Sequence, residues 1–224
     1  MKVADTPVPA RAGGDASAGP AATPAEAAFA TAVAALQAGR DEVAEVRDDM
    51  EVEDWPAPKR LAPQAAAIAA TAFRDGAEAG TARLMLLHDA DGRGGWTGPF
   101  RVVIQVNADV DEEMAADPLL GEVGWSWLTD ALDLHAPGYG APSGTVTRVI
   151  TEGYGAKQDE PQATAFELRA SWCPADDQLD DELSGAVLAW ADVLAAAAGL
   201  PSQPPGTRAL APRRTGGPAS RRHR

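Results

Sequence analysis

His88, Asp89 and Asp91 stand together in "HDAD", the closest grouping of imidazole and carboxylates in the chain. A histidine with two acids can hold a divalent cation, and a histidine beside an acid can move a proton. The same residues also suit a turn between strands, where aspartate bonds its own backbone. The other histidines offer less. His135 closes a predicted helix, where a cation suits the dipole, and His223 lies in the C-terminal segment. Cys173, the single cysteine, sits between Trp172 and Pro174 at a predicted strand end and reads as structural. One cysteine permits neither an intrachain disulfide nor a thiolate metal cluster.

Two further motifs fail on inspection. "NADVDEE" spaces Asn107, Asp109 and Asp111 like a calcium loop, but it lacks the sixth-position glycine and has Pro118 where a bidentate acid is required. "GRGGWTG" carries Thr97 at the third glycine position and precedes a strand, so it is no dinucleotide fingerprint. Walker loops, zincin motifs and nucleophile elbows are absent from the sequence. No catalytic residue, metal ligand or cofactor is therefore assigned.

Arginines are spread differently. Arg83, Arg101, Arg148 and Arg169 place one guanidinium in each of four predicted strands. Arg101 and Arg169 alternate with apolar neighbours, which turns them away from the helices. A basic band across an open sheet face would form a docking surface for an acidic ligand or peptide. Pairing with Glu152, Glu167 and Asp109 would instead leave a solvated, neutralised face. Charge is also segregated along the chain: 31 acids face 11 bases in residues 24–200, whereas residues 201–224 hold six arginines and no acid. An acidic body repels nucleic-acid backbones. Arg208, Arg213, Arg214, Arg221, Arg222 and Arg224 could bind RNA by charge alone, or reflect only a compositional bias.

The elements that must position these residues follow from patterning. Residues 1–23 and 201–224 lack large apolar side chains and are expected to be disordered tails around one α+β domain at 24–200. Thr23, Pro24 and Glu26 signal a helix start, and Gly39 its stop. An acidic connector follows at 40–63. Strands are expected at 65–73, 81–89, 98–110, 144–155 and 162–172, with a turn at Asp75-Gly76. Asp117 and Pro118 would open a helix in which Trp125 and Trp127 straddle Gly124 as core anchors, and a last helix spans 178–198 with Trp190 inside it. The order is α-β-β-β-α-β-β-α, an antiparallel sheet of about five strands backed by helices. A faint ββα repeat at an offset near 64 matches Gly80-Thr81 to Gly144-Thr145 and "WLTDAL" to "WADVLA". The longest apolar stretch near the C-terminus, "AVLAWADVLAAAAGL", is broken by Asp192 and too short to span a bilayer, and Lys2 has no apolar run behind it. These features fit a reducing cytoplasm and no membrane partner.

The segments "PAPKRLAP", "RLMLLHD", "MAADPLLGEVGWSWLTDAL", "GTVTR" and "ELRASWCP" resemble an actinobacterial family known as domain of unknown function 3000, from about Phe29 to Pro201. That resemblance implies no reaction, cofactor or catalytic residue. The element order is also similar to that of type III secretion chaperone-like and YbjN-like proteins, small acidic proteins, generally dimeric, that bind other proteins; a shared topology does not fix function. Three functional readings follow. The first is a non-enzymatic adaptor that binds a protein and could form a homodimer. The second is an RNA-associated accessory acting through the arginine tail, and the third is an enzyme using carboxylates around His88.

Overall fold

The computed structural model describes residues 22–202. The tails expected at 1–23 and 201–224 lie outside the described residues except for two positions each. The elements are α1 (Pro24–Val46), β1 (Met50–Trp55), β2 (Gln64–Arg74), β3 (Ala77–His88), β4 (Phe100–Asp109), α2 (Glu112–Ala116), α3 (Leu120–His135), β5 (Gly140–Thr151), β6 (Ala163–Cys173) and α4 (Leu179–Ala197). All strand pairs are antiparallel, in the order β1-β2-β3-β4-β6-β5. The protein is α+β, with one strand and one short helix more than the sequence pattern suggests.

Local chemistry explains most boundaries. Thr23 and Glu26 close a capping box at α1: Glu26 N–H donates to Thr23 Oγ1 at 3.2 Å, and Thr23 N–H donates to the Glu26 carboxylate at 2.7 Å. Gly39 does not end this helix. A Cβ there would stand 2.7 Å from the carbonyl oxygen of Ser184 in α4, so the glycine marks a close helix crossing while α1 continues to Val46. The stretch read as an acidic connector thus finishes α1 and supplies β1. Between β2 and β3, Asp75 and Gly76 both take positive φ (54° and 82°), the two-residue hairpin turn their types favour.

α4 is apolar on nearly every side, and it lies against β3 and β4 with α1 and α3 flanking it. Trp190 at its middle is fully buried, as expected. The inward rows of the sheet (Leu84 and Leu86, Val102 and Ile104, Phe166 and Leu168) meet Leu128, Leu132, Leu183 and Val187 in one core. At the far end of α4, where helix carbonyls lack partners, Arg74 donates to the Ala198 carbonyl at 3.0 Å, and beyond the helix Arg47 donates to that of Pro201 at 3.4 Å.

Asp117 does not cap α3. It ends α2, and its carboxylate accepts from Leu119 N–H at 2.8 Å, holding the turn from which α3 starts at Leu120. Trp125 and Trp127 pack on the core but stay half-buried, and the Trp127 ring lies 5.5 Å from that of Phe166. Gly124 makes the close approach expected of it, since a Cβ there would sit 2.5 Å from Phe166 Cε2. On the same helix Val123 and Leu134 are 40% and 59% exposed. The ββα repeat is not confirmed. α1, β1 and β2 have no counterparts in the second half, Gly80 falls inside β3, and Trp127 is half-buried where Trp190 is enclosed.

Candidate functional site

The helices cover one face of the sheet, and the other carries polar side chains. Strand register sets its rows. One runs Glu53, Ala69, Arg83, Gln105, Arg169, Thr145 across all six strands; the next runs Glu51, Thr71, Thr81, Asn107, Glu167, Thr147. Alanines on β2 leave a trough between β1 and β3. Arg83 reaches over it, and its guanidinium carbon lies 4.6 Å from the centroid of the Trp55 ring. Beside this pair is a groove of about 380 Å³ whose walls include Glu53, Thr71, Gln105 and Asn107.

Three of the four sequence-predicted arginines share this face, and they differ in what they hold. Arg169 pairs with Glu167, which also accepts from Gln105 Nε2 at 3.1 Å. Arg101 donates to Ser171 Oγ at 2.8 Å, to Ser143 Oγ at 3.1 Å and to Cys173 Sγ at 3.4 Å. Arg83 rests on Trp55, and among the described residues neither Arg83 nor Arg101 has a carboxylate within ion-pair distance. Arg148 is a correction. It pairs in register with Phe166, an inward residue, so it lies on the helix side, where it donates to the Asp117 carbonyl at 2.7 Å. The four guanidiniums therefore form no continuous band.

Cys173 is buried beside this face. Burial disfavours its thiolate, but the Thr97 N–H and the Arg101 guanidinium, each 3.4 Å from Sγ, outweigh that and hold the thiol below its ordinary range.

His88 points the other way. Its ring is 3% exposed, stacked 4.4 Å from Phe100 and 5.9 Å from Phe29, and Nδ1 lies 2.6 Å from Gln64 Oε1. Burial holds its pKa below the usual histidine range, against a smaller pull upward from Asp89. Asp89 is engaged by Arg93 at 2.8 Å on the turn. Among the described residues no three histidine, cysteine or acidic side chains gather as metal ligands. His135 ends α3 as expected, with Nε2 2.8 Å from the Asp192 carboxylate of α4. The six arginines from Arg208 to Arg224 lie outside the described residues. Trp55 and the groove escaped the sequence reading, although Met50 and Val52 alternating with Glu51 and Glu53 is a strand signal inside the supposed connector.

No helix among the described residues is long and apolar enough to cross a membrane. A search of curated proteins and a search of solved structures found no match. A family profile described as protein of unknown function (DUF3000) matches residues 25–207, which takes in every element described above but for the first residue of α1, and the chain belongs to that family.

Proposed function

We propose that this chain is a non-enzymatic adaptor domain that holds an extended segment of a partner protein across its helix-free sheet face, taking an acidic side chain of that segment at Arg83. The carrying observation is the Arg83–Trp55 pair at the groove: a guanidinium pre-positioned on an aromatic ring without an acidic partner among the described residues. Trp55 is 39% exposed, so the ring also offers apolar surface to a ligand. The amides of Gln105 and Asn107 and the hydroxyls of Thr71 and Thr81 supply donors and acceptors for a peptide backbone. Repulsion from the acidic body is screened beyond about 8 Å at physiological salt, whereas a direct guanidinium–carboxylate contact is not. A cytoplasmic setting fits a chain whose one cysteine is buried and has no second cysteine to pair with.

Titration of extended peptides carrying Asp or Glu, against the same peptides with Asn or Gln, tests this reading. Acidic peptides should bind, and Arg83→Ala should weaken them about tenfold, the worth of one charge-assisted contact. Equal binding of the neutral set, or an Arg83→Ala variant that binds as well as the parent, sinks the proposal.

A further inference from the structure

The two edges of the sheet are built on opposite plans. β1 is six residues long and carries Glu51, Glu53 and Asp54, the short, charged form that keeps an edge strand from pairing with another chain. β5 is twelve residues long and exposed at ten of them, yet its sequence, "GAPSGTVTRVIT", contains no acid and reads like an interior strand from Gly144 onward. It is rich in the β-branched residues that pair well across strands. Apolar side chains gather around it. Val149 and Ile150 are 41% and 52% exposed, Tyr154 just beyond is 77% exposed, and at the start of α3, which packs on β5, the capping residue Leu119 and Val123 are 55% and 40% exposed.

From this we infer that β5 is the seam of a homodimer, where a second copy of this chain lays its own β5 antiparallel to the first and makes one continuous sheet. The strand is self-complementary about a two-fold axis at Thr147. Thr145 then faces Val149 of the second copy, Gly144 faces Ile150, and Arg148 faces Val146 rather than its own image. Charge favours a second copy at this edge in particular. Two chains of formal net charge −14 repel each other, and β5 is a carboxylate-free stretch along which they can approach without setting acids opposite one another. This inference is independent of the groove on the sheet face.

Sedimentation of the full chain should give twice the 23.1 kDa chain mass. The double substitution Val149→Glu with Ile150→Glu puts four carboxylates into the seam, facing Thr145 and Gly144 with no cation opposite them, and should yield single chains that still melt cooperatively. Thr147→Cys should cross-link to itself under a short bis-maleimide, since directly opposed side chains lie about 5 Å apart. A parent protein that sediments as one chain overturns the inference. So does a dimer that survives the double substitution and fails to cross-link at residue 147, which would place the contact elsewhere. A single chain whose β5 amides are protected from hydrogen exchange would mean that a different segment covers the edge, and it overturns the inference equally.

Discussion

At the scale of single residues, His88 shows how a chemically suggestive motif can serve packing. Its Nδ1 proton is donated to Gln64, and its ring fills the space between Phe29 and Phe100. The signal was present in the sequence: Leu84, Leu86 and His88 share one parity on β3, so His88 continues the inward row. Because burial depresses its folded-state pKa, the unfolded chain takes the proton first. Its stabilising contribution is complete above the ordinary value near 6.5 and is lost as pH falls below it. Urea unfolding at a series of pH values should show that fall. His88→Phe should flatten it, and His88→Ala should cost about 3 kcal/mol above the ordinary histidine range through the cavity it leaves, with the deficit shrinking as pH falls and the parent loses its own contribution. Glu182 acts in the opposite sense. Burial, helped by Asp177 and Asp181, raises its pKa despite the Gly138 N–H bond, and one carboxylate oxygen is buried without a partner. Its contribution is complete below about 4.5 and is lost as pH rises through the raised value. Glu182→Gln should therefore melt higher than the parent at pH 8, with the difference closing toward pH 4.

At the scale of elements, caps and alternation were legible and close contacts were not. The Thr23 box, the Asp75-Gly76 turn and the periodicity of β4 all declare themselves locally. Gly39 does not, because a glycine that ends a helix and one that lets another helix touch look alike until the neighbour is known. The same holds where α3 meets α4: a Cβ at Gly185 would overlap the carbonyl oxygen of His135. Gly185→Ala should destabilise by about 3 kcal/mol in chemical denaturation, the cost of overpacking against backbone. Gly121, in the first turn of α3, has nothing within 4 Å of an added Cβ. Gly121→Ala should instead stabilise by about 0.5 kcal/mol, through lost freedom in the unfolded chain. A Gly185→Ala variant as stable as the parent would mean that the helix crossing is looser than these distances imply.

At the scale of the whole molecule, fold class could be read from the order of elements, but the membership of a face could not. Arg83, Arg101 and Arg169 come from three strands and meet only through register, while Arg148 separates from them because β5, an edge, has no buried row to fix its parity in the pattern. Net charge acts at this scale too. A chain of formal charge −14 repels itself when compact, so its melting temperature should rise by a few degrees between low and physiological salt. A flat response would mean that local ion pairs already absorb the field.

The six tryptophans are distributed so that they divide the molecule optically. Trp172 and Trp190 sit in the core, about 1% exposed or less, and emit from an apolar surrounding, whereas Trp55 lies on the opposite side of the sheet beneath a guanidinium. A polar quencher in solution reaches Trp55 and is shut out from the other two. The blue part of the emission therefore follows the integrity of the core, and the quenchable part that a Trp55→Phe change removes, over that of the half-buried Trp96, Trp125 and Trp127, reports what rests on the open face.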